Sequence, residues 1–202
     1  TTLILEGADG SIYASDSQQT IRKMNKNGTG AVNLITNFPP DHLGIELREV
    51  SHLIQGSDGF LYGLGQDLTG GTGYFFRVDT NGNGRAQARF FAATRGFAPT
   101  TFYQSAADGL FYVSASGASG FRGSLARTDA SFATTSVGTN LLNWPASTGG
   151  EFGANTVDHI TEGLDGLLYG TTDSGGNEFA GLIFRVNRDG SGFTNLIHLS
   201  FS

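Results

Sequence analysis

The sequence contains no cysteine, only four prolines and only two lysines, Lys23 and Lys26, in 202 residues. Without cysteine there is no disulfide, no thiolate metal site and no cysteine nucleophile. Charged residues make up 15% of the chain, against about 25% ordinarily, which argues against long solvated helices and charge-driven disorder. A net charge of −6 with so few lysines argues against a partner bound by phosphate neutralisation, so no nucleic acid is expected. No apolar run approaches the roughly 18 residues of a membrane span. No window sustains a 3.6-residue apolar period either, so no helix is expected.

What is abundant is glycine, 31 residues, about twice the usual share of roughly 7%, and it recurs in register. Asp-Gly is followed three residues later by tyrosine at Asp9-Gly10 and Tyr13, Asp58-Gly59 and Tyr62, Asp108-Gly109 and Tyr112, and Asp165-Gly166 and Tyr169. Each tyrosine is followed by an apolar stretch carrying one cation, respectively Lys23, Arg77, Arg127 and Arg185. A polar turn comes next: Asn25–Gly30, Asp79–Gly84 and Asn187–Gly192, with Asp129–Phe132 in its place in the third copy.

Asp-Gly between apolar runs is a strong hairpin signal. Each copy therefore reads as four short strands. Strand a is expected at Leu3–Glu6, His52–Gln55, Phe102–Ser105 and His159–Glu162. Strand b is expected at Ser11–Ser15, Phe60–Leu64, Leu110–Ser114 and Leu167–Thr171. Strand c is expected at Ile21–Met24, Phe75–Val78, Leu125–Thr128 and Leu182–Val186. Strand d is expected at Ala31–Ile35, Ala86–Phe91, Thr134–Val137 and Phe193–Leu199. Small residues after the strand-b tyrosine, such as Gly63 and Gly170, are expected to admit a neighbouring sheet. Four-stranded units of this length imply an all-β fold, a four-blade β-propeller. Its blades run at about 1–40, 41–97, 98–146 and 147–202. A solenoid would want polar capping repeats, and the first and last copies are ordinary. Half of a larger propeller completed by a second chain is the alternative.

The stretches Gln55–Gly63 and Gly181–Leu196 resemble the GloVer-type tandem repeat of bacterial choice-of-anchor secreted proteins. The fourth copy, with Thr171-Thr172 and Gly175-Gly176, carries the resemblance best. It implies an exported or surface-displayed bacterial protein and brings no catalytic residues. The Asp-Gly-x-x-Tyr turn also resembles that of propellers containing lactonases and other calcium-dependent hydrolases, an analogy of fold.

Antiparallel order places the a–b and c–d turns at one end of each blade and the long b–c and d–a segments at the other. Binding residues gather on such loops. The ligand candidates there are His42 and Glu46, Phe121, Trp144 (the only tryptophan), Glu151 and Asn155, and Asp173 and Phe179. Asp79, Asn81 and Asn83 resemble the start of a calcium loop, but position twelve is Phe90 instead of a bidentate acid, so a hairpin turn is the favoured reading. Glu6, Gln55, Ser105 and Glu162 each stand three residues before a turn aspartate. Ring closure would bring Glu6 and Glu162 together as a metal or proton-sharing pair; solvated side chains are the plainer reading. His52 and His159 read as packing residues, and His42 and His198 have no evident partner. No Gly-x-Ser-x-Gly elbow exists.

These observations lead to a non-enzymatic exported module without cofactor, calcium being a minor alternative, that presents its loop face to a glycan or a surface protein. A metal-assisted hydrolase and a structural repeat assembled with further copies are the other readings.

Overall fold

The structure, a computed structural model, describes residues 3–16, 20–38, 47–67, 73–90, 99–116, 121–132, 136–145 and 154–201. Among these there are strands and no helix. Blade 1 is β1 (Leu3–Glu6), β2 (Ile12–Ser15), β3 (Ile21–Met24) and β4 (Val32–Ile35). Blade 2 is β5 (Leu47–Gln55), β6 (Leu61–Asp67), β7 (Gly73–Val78) and β8 (Ala86–Phe90). Blade 3 comprises β9 (Pro99–Gln104), β10 (Phe111–Ser116), β11 (Phe121–Thr128) and, after the short β12 (Ser136–Val137), β13 (Thr139–Pro145). Blade 4 is β14 (Ala154–Glu162), β15 (Leu168–Ser174), β16 (Leu182–Val186) and β17 (Thr194–His198). Each blade is an antiparallel meander in sequence order, and β12 adds a fifth, parallel strand to blade 2 beside β8. The fold is all-β and of the four-blade propeller class, as the repeat predicts.

The chain divides into two compact units, Thr1–Phe90 with Phe132–Val137, and Phe91–Ser131 with Gly138–Ser202. Each holds two blades and its own core. In the first, Tyr13 and Ile21 of blade 1 pack with Val50, Leu61, Phe76 and Val78 of blade 2. In the second, Tyr112 and Leu125 of blade 3 pack with Val157, Ile160, Leu168 and Phe184 of blade 4. In both units strand a of the later blade lies on the earlier blade, so burial between blades contributes to apolar stabilisation.

Three expectations are corrected. Gly63 and Gly170 do not make room for a neighbouring sheet. They lie opposite Phe76 and Phe184 of their own blades, and a Cβ on either would run into that ring. Each is the small half of a large–small cross-strand pair. Second, strand d of blade 3 is Thr139–Pro145, not Thr134–Val137. With no Asn-Gly turn to reverse it, the chain leaves β11 through Ala130 and Phe132, both left-handed (φ 57° and 52°). Ser136–Val137 then pairs with β8, and only after Gly138 (φ 113°) does the chain return to blade 3. Third, the long-loop end is shorter than expected, because β5, β11, β13, β14 and β15 extend into it across bulged registers. Phe121, Trp144, Asn155 and Asp173, expected on loops, consequently stand in strands.

Candidate functional site

At the turn end, one arrangement recurs in all four blades. The turn aspartate uses Oδ1 to accept the backbone N–H two residues on, in Ser11, Phe60, Leu110 and Leu167. Its Oδ2 accepts the tyrosine hydroxyl at 2.7–2.8 Å. The cation stands directly across from that tyrosine in the β-ladder: Tyr13 with Lys23, Tyr62 with Arg77, Tyr112 with Arg127 and Tyr169 with Arg185. Each motif residue thus has a structural task, which explains why they recur together. Hydrogen bonds from Lys23 and Tyr13 hold the Asp9 carboxyl far below the usual carboxylate range. Burial, followed by the bond to Asp58, pushes Tyr62 up to about 12. Burial and Asp108 likewise raise Tyr112.

The same end also ties the blades together within each unit. Lys23 Nζ donates to the carbonyl of Thr80 in the c–d turn of blade 2 (3.3 Å). Arg127 donates to the carbonyl of Arg188 in the matching turn of blade 4 (3.4 Å). The turn glycine seats against the outer strand of the blade before it. A Cβ on Gly82 would stand 2.6 Å from the Leu34 carbonyl, and one on Gly190 would stand 2.7 Å from that of Leu141. Leu34 and Leu141 are the residues that the β3–β4 and β11–β13 registers skip. The bulge therefore aims a carbonyl outward to receive the turn. Blade 2 has no such bulge, and blade 3 has no such turn. There the Arg77 guanidinium lies between the Phe60 and Phe132 rings, 5.0 and 5.4 Å from their centroids.

The ladder revises one equivalence. Glu6, Gln55 and Glu162 pair with the first residue of strand b, and in blade 3 that position belongs to Gln104, not Ser105. Blade 3's turn is one residue longer, closing from Gly109 to Ser105. Glu6 pairs with Lys26 at 2.6 Å. Glu162, 8% exposed, faces Arg188 at 3.7 Å and accepts from Ser105 Oγ at 2.9 Å. Asp79 Oδ1 accepts both Asn81 N–H and Asn83 N–H at 2.8 Å, the work of a turn carboxylate. No group of three His, Asp or Glu side chains is placed to hold a metal among the described residues.

At the long-loop end, His42, Glu46 and Glu151 lie outside the described residues, as do the side chains of Phe121, Trp144 and Asn155. Asp173, near the end of β15, and Phe179, on the b–c loop of blade 4, are described. That loop is closely bonded: Gly181 N–H to Gly175 O at 2.9 Å, Leu199 N–H to Gly181 O at 2.9 Å, and Leu182 N–H to Thr172 Oγ1 at 3.2 Å. His198, without an evident partner in the sequence, accepts the Asn177 N–H on Nδ1 at 3.2 Å. Phe179 rides on this frame at φ 59° and is 62% exposed. Beside Asp173, Asp158 was not singled out by sequence; burial and then the Asp173 charge raise its carboxyl above the usual range. A trough of about 350 Å³ on blade 4 is lined by His159, Ile160, Thr161, Tyr169, Gly170, Thr171 and Ile183.

No family model and no curated protein matches the sequence. Solved structures do match. The extracellular domain of a putative one-component system from B. thetaiotaomicron aligns over 96% of this chain at 11% identity and TM-score 0.64. A GH43 β-1,3-galactosidase aligns over 96% at 11% identity and TM-score 0.55, covering 74% of that enzyme. An exo-β-1,3-galactanase from Clostridium thermocellum aligns over 96% at 14% identity and TM-score 0.52, covering 48% of that chain. The chain spans 24% of the length of the extracellular domain. At these identities the likeness is one of fold. No helix among the described residues is long and apolar enough to cross a membrane.

Proposed function

We propose that the chain is a non-enzymatic, exported bacterial module that binds or displays, presenting the long-loop end of its blades to a glycan. The observation that carries this reading is Phe179. A large aromatic ring stands in solvent on a left-handed backbone, and the loop beneath it is closed by hydrogen bonds at both ends. Left-handed non-glycine residues cost roughly 1–3 kcal/mol and persist where the surroundings over-determine them, often at ligand clamps. An exposed aromatic face suits stacking on a sugar ring, and the exposed Asp173 near the end of β15, the strand that leads into this loop, supplies an acceptor for its hydroxyls. The fold likeness to an extracellular domain and to galactan-cleaving enzymes favours a secreted, carbohydrate-facing setting over other uses of a propeller.

The test is a glycan array that includes β-1,3-galactan oligosaccharides, run with calcium and again with EDTA. Selective binding is expected, unchanged by EDTA, and weakened about tenfold or more by Phe179→Ala, which corresponds to about 1.4 kcal/mol. Binding indifferent to that substitution, or no binding, overturns the glycan reading and leaves display to a surface protein. Loss in EDTA would instead point to a divalent cation at the site.

A further inference from the structure

We propose that the Phe179 loop of blade 4 is gated by pH, with the His198 imidazole as its latch. The neutral ring holds the loop in its sugar-facing shape, and the protonated ring releases it. What the loop binds rests on the glycan reading; how it is held does not.

The loop joins β15 to β16 and runs from Gly175 to Gly181. Its base is tied by backbone: Gly181 N–H donates to Gly175 O and Leu199 N–H to Gly181 O, both at 2.9 Å. Its tip is tied by one side chain. Among the described residues, the bond from Asn177 N–H to His198 Nδ1, at 3.2 Å, is the only hydrogen bond that residues 176–180 make outside the loop. The ring is also in close contact with the chain there, since a Cβ on Gly176 would stand 3.1 Å from Nδ1. Gly176 and Phe179 both have left-handed backbones, φ 76° and 59°. Glycine adopts that conformation freely. Phenylalanine keeps it only while its surroundings hold it there.

A ring nitrogen accepts a hydrogen bond only while it is unprotonated. Because Nδ1 accepts from Asn177, the imidazole that holds the loop is neutral, with its proton on Nε2. A second proton goes to Nδ1, the remaining basic nitrogen. An N–H then points at the Asn177 N–H, and the acceptor has become an opposed donor. Histidine is the side chain whose ordinary titration falls between about pH 5 and 8.

The surroundings offer no substitute acceptor. His198, Leu182, Thr172 and Val157 form one row across the sheet, and the last three are buried and uncharged. β17 carries no other titratable residue. The charged groups on the neighbouring elements are Arg185 of β16, which stands across from Tyr169 and Thr194, Asp173 of β15 and Glu178 of the loop itself. Neither carboxylate accepts the Asn177 N–H. Protonation therefore frees the tip, and Phe179 can leave its left-handed backbone. Sugar binding is strongest where imidazole is neutral and weakens in acid.

The test reads the loop and the binding separately. Backbone order parameters from NMR relaxation report the loop, at about pH 8 and about pH 5. In the wild-type chain, values for residues 177–179 are expected to be high at the first pH and to fall at the second, while the central strands stay rigid. His198→Asn puts a carboxamide oxygen near the place of Nδ1 and does not titrate, so the loop should stay rigid at both. His198→Ala removes the acceptor, so the loop should be mobile at both. Titration calorimetry with a β-1,3-galactan oligosaccharide should show wild-type affinity falling about fivefold in acid, the worth of one net hydrogen bond, and staying level in His198→Asn. A wild-type loop that ignores pH overturns the latch, and so does an equal acid response in His198→Asn. Equal affinity at both pH values despite a mobile loop overturns the gating. If no glycan binds at either pH, the glycan reading fails by itself and the order parameters still decide the latch.

Discussion

Tyr62 is 3% exposed and gives its hydroxyl to Asp58 at 2.7 Å, while Tyr169 makes the same bond to Asp165 in the open. Removing a buried hydrogen bond to a charged acceptor costs more than removing a solvated one. Tyr62→Phe is expected to lower stability by about 1–3 kcal/mol and Tyr169→Phe by distinctly less, read from urea unfolding. The same groups set the pH response. Tyr62 ionises at about 12 in the folded chain and near 10 ordinarily, so its contribution is complete below pH 10 and is lost as pH rises toward 12. Asp9 has the opposite sign: its carboxyl is depressed by Lys23 and Tyr13, so its contribution is present above about pH 3.9 and fades on acidification. Stability measured against pH should fall less steeply on the alkaline side in Tyr62→Phe, where Tyr112 and Tyr13 still contribute, and less steeply on the acid side in Asp9→Asn. At this scale the sequence was highly legible, since Asp, Gly, Tyr and the cation recur at fixed spacing. It did not reveal that His198 closes the Phe179 loop, because that bond spans 21 residues and no repeat marks it.

Turns and bulges are the elements that join the blades, and they are not interchangeable. Gly59 and Gly82 have nearly the same backbone, φ 84° and 86°. Nothing crowds the first, whereas the second sits on the Leu34 carbonyl. Gly59→Ala should therefore cost only the left-handed penalty, roughly 1–2 kcal/mol. Gly82→Ala should cost clearly more and loosen blade 2 from β4, a difference that paired thermal melts would resolve. Where the third copy lacks the turn, Phe132 stands in, stacked on Phe75 at 5.3 Å and beside Arg77. Phe132→Ala is expected to destabilise the chain by about 1–3 kcal/mol, combining lost apolar burial with lost cation–π attraction. That substitution of one device for another could not be read from the sequence. The motif's absence and the Asp129–Phe132 segment in its place were visible, but the packing of Phe132 on Phe75 and Arg77 of blade 2 depends on residues far away in the chain.

For the whole molecule, protection follows position in the meander. Strands β2, β3, β6, β7, β10, β11, β15 and β16 are flanked on both sides, and their amides should exchange most slowly. The edge strands β1 and β17 should exchange more quickly, because their outer backbone groups face no ladder partner among the described residues. The exposed large apolar side chains among the described residues fall on blades 1 and 4, among them Ile4, Val32, Leu196 and Ile197.

The sequence by itself determined the fourfold repeat, the all-β class, the hairpin turns and the central strands, because these depend on local chemistry: a left-handed glycine, an aspartate that caps its own turn and an apolar alternation. The tertiary structure decided what depends on partners distant in the chain. It moved the outer strand of blade 3, since a parallel pairing with β8 claimed the segment expected to form it. It assigned Gln104, not Ser105, to the register of Glu6, since one extra turn residue shifts the ladder without altering the motif count. It also showed Gly82 and Gly190 seated on bulge carbonyls while Gly28 stays open, although the three turns look alike in sequence. Which copy of a repeated turn finds a partner is decided by what packs beside it.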